Sequence, residues 1–113
     1  MKQRGDATTM IAIRANIHIK RSERVRFLAA LQDFIPAVRK EPGCLFFVVS
    51  EDTREANRFY VIGEFEAQTA LDAHEDAAHT GAFRSLITPL IESREPTLVF
   101  TISKVETLGR RSS

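Results

Sequence analysis

Residues 44–50, CLFFVVS, are apolar at both parities. A strand sends alternate side chains to opposite faces, so this run reads as a strand that must be covered on both sides. The demand is severe in a chain of 113 residues, which is enough for one domain with a modest core. Residues 11–20 form a different kind of strand. Ile11, Ile13, Ala15, Ile17 and Ile19 alternate with Ala12, Arg14, Asn16, His18 and Lys20, so one face is apolar and the other polar. Residues 58–66 supply a third strand, with Phe59, Val61, Gly63 and Phe65 on one face and Arg58, Tyr60, Ile62 and Glu64 on the other. The short polar turn at 51–56 makes strands two and three an antiparallel hairpin.

Helical periodicity fills the gaps. Ser22 offers an N-cap for a helix reaching about Lys40. Val25, Leu28, Leu31 and Ile35 form its stripe, widened by Phe27, Ala30, Phe34 and Val38. Pro36 should bend this helix, and Pro42-Gly43 ends it. A short helix is predicted at 67–74. A second piece is predicted at 79–93, contains Pro89, and is striped by Phe83, Leu86, Ile87, Leu90 and Ile91. Pro96 then opens a last strand ending at Val105. Residues 1–8 read as a disordered tail, 9–105 as one domain and 106–113 as a C-terminal tail.

The order β-α-β-β-α-β with right-handed crossovers predicts an α+β, ferredoxin-like fold: a four-stranded antiparallel sheet with both helices on one face. Strands two and four are apolar on both faces, yet the helices cover only one. The economical second cover is another copy of the same sheet, so a homodimer closing into a dimeric α+β barrel is expected.

Composition excludes several functions. The net charge is +1 from 16 basic and 15 acidic residues, which gives no electrostatic footprint for nucleic acid or an acidic membrane. No apolar run approaches the ~20 residues of a membrane span, and the start resembles no signal peptide. A cytoplasmic location is the default expectation. Cys44 is the single cysteine, so neither an internal disulfide nor a cysteine metal cluster can form.

Three segments carry a family resemblance: EPGCLFF at 41–47, NRFYVIGEFE at 57–66, and the pattern AL-DAH, then His79, then Phe83 within 70–83. Together they resemble the antibiotic biosynthesis monooxygenase domain, from about Thr9 to Val105. The resemblance implies a dimeric α+β barrel. It further implies a cofactor-independent monooxygenase that oxidises a small phenolic or quinol substrate with O2 and uses no metal. The alternatives within the same resemblance are an isomerase of a small phosphorylated metabolite and a non-catalytic dimeric binding or stress protein. Polyketide-oxidising members place a Trp, an Asn, a Tyr and a His where this chain has Phe65, Val61, Leu71 and Ser50. Haem-cleaving members need an Asn and a His where it has Ala15 and about Arg84. His74 and His79 match the quinol-oxidising and metabolite-isomerising branches.

Cofactor-free oxygenation needs a base, a dry pocket and room for O2. Imidazole titrates near neutrality, which suits it as the base. His74 is the leading candidate and His79 the second; either could instead serve a helix terminus. On one continuous helix their five-residue spacing would put them on different faces, and it does not fit a zincin metal pair. Phe46, Phe47, Phe59, Phe65 and Phe83 are available as pocket walls drawn from the core, with Phe47, Phe65 and Phe83 the expected substrate contacts. Asn57, Tyr60 and His18 are substrate-binding candidates, with turn chemistry, packing and a place at the dimer interface as their respective plainer roles. Cys44 reads as an inert thiol.

Overall fold

The computed structural model describes residues 9–109; residues 1–8 and 110–113, at the outer ends of the expected tails, lie outside the described residues. Strand β1 is Met10–Ile19, β2 is Cys44–Glu51 and β3 is Arg58–Phe65. Helix α1 is Arg24–Arg39, α2 is Gln68–Asp76 and α3 is Ala78–Ile87; two short strands follow, β4 at Ile91–Arg94 and β5 at Leu98–Ile102. The sheet order is β2-β3-β1-β4, with β5 also paired to β1, and all pairings are antiparallel. This is the expected ferredoxin-like α+β arrangement.

The fourth lane differs from the expectation in one respect. It is split: β4 lies beside Ile17–Ile19 of β1, and β5 lies beside Met10–Arg14. The helix predicted to reach residue 93 stops at Ile87. Pro89 lies in a 3-10 turn at Thr88–Leu90, and Ile91 already belongs to a strand. Proline has no N–H to continue an α-helical ladder, so Leu90 reaches the core from a turn instead. Glu95 donates the last rung to the Asn16 carbonyl at 3.0 Å, and Pro96 then interrupts the lane.

Helix α1 also starts later than Ser22. Residues Arg21–Glu23 form a 3-10 turn and no side chain caps the helix. Its buried stripe is Phe27, Leu31, Phe34 and Val38, whereas Val25 is 79% exposed. The 3.6-residue period was legible; its phase was set by where the sheet lies.

Odd-numbered residues of β1 and β3 face the helices. Ile11, Ile13, Ile17 and Ile19 are buried there, opposite Phe65, Gly63, Phe59 and Asn57 in turn along the hairpin. Gly63 is small for a reason: a Cβ there would stand 3.1 Å from both Phe47 and Phe65 side chains and 3.2 Å from Ile13. The opposite face has no cover among the described residues. Phe46, Leu98 and Phe100 lie on it, 44%, 43% and 42% exposed. Among the described residues, no helix is long and apolar enough to cross a membrane.

One polar clamp ties the β2–β3 hairpin to α1. Glu51 accepts both terminal guanidinium nitrogens of Arg24, one at 2.7 Å, and also the Asn57 backbone N–H at 2.7 Å. The Asn57 side-chain oxygen accepts from Arg24 at 3.1 Å, and its backbone takes φ 69°, a left-handed turn that Asn tolerates. Hydrogen bonds from Arg24 and then from Asn57 hold the Glu51 carboxyl at about 2, below its ordinary 4.5. A carboxylate with a lowered folded-state pKa contributes stability in full above its unfolded value and loses it as pH falls toward the folded one. Urea unfolding followed from pH 6 downward should therefore show a loss between about 4.5 and about 2 that is smaller in Glu51→Gln. An identical loss in the variant would remove Glu51 from the acid sensitivity.

Candidate active site

A cavity of about 550 Å³ lies between the sheet and the α2–α3 pair. Its floor is the helix-facing side of the sheet, including Ile13, Ala15, Ile17, Phe47 and Val61. Its roof includes Leu71, Phe83 and Ile87, and Phe34 of α1 closes one side. Phe34 and Phe83 stack with centroids 3.8 Å apart and planes 2° apart. The floor and the stacked aromatic side are thus apolar, as a small-molecule pocket requires.

His74 lines this cavity from the last turns of α2 and is 3% exposed. Its ring sits 5.2 Å from Phe65 and 6.1 Å from Phe47. Nδ1 lies 3.0 Å from both oxygens of Glu41. Glu41 comes from the turn after α1. Its carbonyl accepts the Cys44 N–H at 3.1 Å, with Pro42 second and Gly43 third at φ 85°, the pattern of a type II turn. A side chain at position 43 would strike Ala70 at 2.6 Å, so the turn and α2 approach each other only through glycine.

The two histidines meet, contrary to what a continuous helix would allow. Ala77 is extended, with φ −65° and ψ 141°, and it separates α2 from α3. The break swings His79 round so that its Nε2 also contacts Glu41. One carboxylate thus bridges two imidazoles. An ionised carboxylate only accepts, so Nδ1–H of His74 and Nε2–H of His79 donate. This leaves the lone pair of His74 on Nε2, which bonds to no protein group among the described residues. Among the described residues, Glu41, His74 and His79 are also the one set whose donor atoms, within 4.8 Å of one another, could hold a metal ion.

Thr80, 1% exposed, lines the same cavity, and its hydroxyl has no partner. A buried hydroxyl in that state is one that a bound ligand or water would satisfy.

The other sequence candidates divide. Phe47 and Phe83 line the cavity; Phe65 is fully buried behind His74 and supports its ring. Tyr60, Asn57 and His18 do not line it. Tyr60 donates to Asp52 at 2.9 Å, and that bond, ahead of burial, raises its pKa. Asn57 serves the Arg24–Glu51 clamp. His18 lies on the uncovered face, opposite Arg58. Cys44 is half-buried and burial pushes its thiol up, as befits an inert group. Sequence reasoning gave no role to Glu41, although it stands first in the EPGCLFF segment. Nor did it single out Thr80 or Arg94.

The antibiotic biosynthesis monooxygenase family model matches residues 10–86. The uncharacterised protein sll1783 of Synechocystis is 29% identical over 98 residues, covering 87% of this chain and 67% of that protein. YcnE of Bacillus subtilis is 28% identical over 74 residues, covering 66% of this chain and 78% of its own length. Among solved structures, a conserved protein of unknown function from Bacteroides thetaiotaomicron superposes with a TM-score of 0.77 at 22% identity, over 85% of this chain and 100% of that one.

The Glu41 bridge has a stability consequence. Glu41→Ala leaves the buried His74 Nδ1–H without an acceptor, which should lower unfolding free energy by about 2 kcal/mol. Glu41→Gln keeps an acceptor and should lose less. Equilibrium urea unfolding measures both, and equal losses would mean that packing rather than hydrogen bonding is what Glu41 supplies.

Proposed function

Because the chain belongs to the antibiotic biosynthesis monooxygenase family, we propose that it is a cofactor-independent monooxygenase acting on a small phenol or quinol with O2. The observation that supports this reading is the Glu41-held His74, with a free Nε2, in the wall of an apolar cavity.

In this reading His74 Nε2 takes the proton of the substrate hydroxyl. Glu41 fixes the ring tautomer and offsets the charge that forms on the imidazole. The resulting phenolate passes one electron to O2, which lifts the spin barrier to reaction. Superoxide and the substrate radical then combine into one carbon–oxygen bond, giving a hydroperoxide. Breaking its O–O bond releases water and leaves a quinone, so one oxygen atom stays in the product. The substrate supplies all four electrons, and neither flavin nor metal is required. The apolar walls keep bulk water from the radical pair, and Thr80 offers a hydroxyl to a substrate oxygen. Phe65 stands where related enzymes have Trp; here the proton-handling duty falls to His74.

We further propose that the protein works as a homodimer whose uncovered sheet faces meet. The apolar exposure of Phe46, Leu98 and Phe100 supports this, with Arg14 of the central strand 5.5 Å over the Phe100 ring on the same face. A lone, half-buried cysteine suits a reducing compartment such as the cytoplasm.

Oxygen uptake with a panel of hydroquinones, without added flavin or metal, should show turnover. His74→Ala should lower kcat/KM by roughly a hundredfold or more; an unchanged rate takes His74 out of the chemistry. Light scattering should give twice the chain mass, and Phe100→Glu should shift it toward a single chain. A wild-type protein that runs as a single chain would end the dimer proposal.

A further inference from the structure

Four charged residues besides His74 line the cavity: Asp72, Glu75, Arg84 and Arg94. Three of them have protein partners. Arg84 donates to Glu75 at 2.7 Å, and Asp72 accepts from Gln68 at 2.9 Å. The guanidinium of Arg94 has no hydrogen bond or ion pair among the described residues. It nevertheless points to the cavity side, because Arg94 stands opposite Ile17 in the sheet and antiparallel partners share a face. The split in the fourth lane places it there. After Arg94 the strand breaks at residues 95–97, and Thr97 joins the lining with a hydroxyl that also has no partner.

We infer that Arg94 and Thr97 form an anion subsite and that the substrate is a phenol carrying a carboxylate or phosphate remote from its reactive hydroxyl. This rests on the oxygenase reading for the phenol and on Arg94 for the anion. The cavity floor crosses the sheet from Phe47 on β2 through Val61 on β3 and Ala15 on β1 to Arg94 on β4. Strands lie about 4.8 Å apart, so the two ends are separated by three spacings, and Phe47 is level with Ile13 while Arg94 is level with Ile17, four residues further along β1; the backbones are therefore on the order of 19 Å apart. His74 packs at the Phe47 end. An arginine side chain reaching inward from the opposite end shortens that span and leaves room for a substituted ring between itself and the base. The reactive end of the substrate thus meets apolar walls and His74, and its charged end meets Arg94, the cavity-lining cation without a partner among the described residues, beside open solvent. A guanidinium fork suits carboxylate and phosphate alike.

Calorimetric titration of the full chain can test this apart from turnover. The probes are 4-hydroxybenzoate, 4-hydroxyphenyl phosphate and the neutral 4-hydroxybenzamide. The two anions should bind roughly tenfold tighter than the amide, as a charge-assisted hydrogen bond implies. Arg94→Ala should bring the ratio close to one, Arg94→Lys should keep part of it, and Arg84→Ala should keep most of it. Which of the two anions binds tighter separates a carboxylate from a phosphate substrate. Equal binding of anion and amide by the wild type, or a preference that survives Arg94→Ala, overturns the inference. Oxygen uptake with 2,5-dihydroxybenzoate against hydroquinone separates the two levels. An anion preference in binding with no uptake from either compound sinks the oxygenase reading and leaves the subsite standing. Uptake from both at equal kcat/KM does the reverse.

Discussion

Glu41 is the side chain on which the architecture of the site depends. Its carboxylate is largely buried and takes one N–H from each of two imidazoles, His74 and His79. A carboxylate so far out of water is tolerable only when its lone pairs are met by donors. Three separate features supply them. The type II turn at 41–44 throws the carboxylate back over the sheet, and Gly43 lets that turn sit against Ala70. The extended residue Ala77 then brings the second histidine round. Together they leave the second nitrogen of each imidazole without a protein partner among the described residues.

The sheet imposes a second constraint. Its helix-facing side is filled at both ends by Phe27, Phe59, Leu90 and by Phe65, Leu71, Ile11, and the cavity occupies the space between. Its other side mixes polar residues of β1 and β3 with an apolar set, Phe46, Leu98 and Phe100, and stays uncovered among the described residues. The strand that carries Phe47 to the cavity also carries Phe46 to the open face, with Leu45 bulged between Cys44 and Phe46. A two-faced strand thus joins the cavity and the exposed apolar residues of the other face through one backbone.

The chain belongs to the family without carrying every residue that the resemblance led one to expect. Positions 65, 61 and 71 hold apolar side chains where polyketide-oxidising relatives hold hydrogen-bonding ones. In this structure they wall the cavity or back it, and the polar lining comes from other positions, among them His74, Thr80 and Arg94.

Much of this was legible in the residues themselves. Period-two alternation in β1 and β3, the doubly apolar β2, and the Pro-Gly stop after α1 are local signals. They state element type and order because a strand or helix face is written in its own sequence spacing. Phase and termination were less legible: Val25 turned outward and α3 stopped short at Ile87, because packing against the sheet decides which residues of a stripe are buried. The site was hidden for a related reason. Glu41 and His74 are 33 residues apart, and no periodicity links them; His74 and His79 look divergent until the backbone breaks between them. Arg94 reads as a linker residue just past a helix ending at 93, until Pro89 and Pro96 bound a short strand that places it on the cavity side. Side-chain chemistry belongs to the sequence, whereas the meeting of distant side chains belongs to strand order and a few backbone dihedrals that only the folded chain displays.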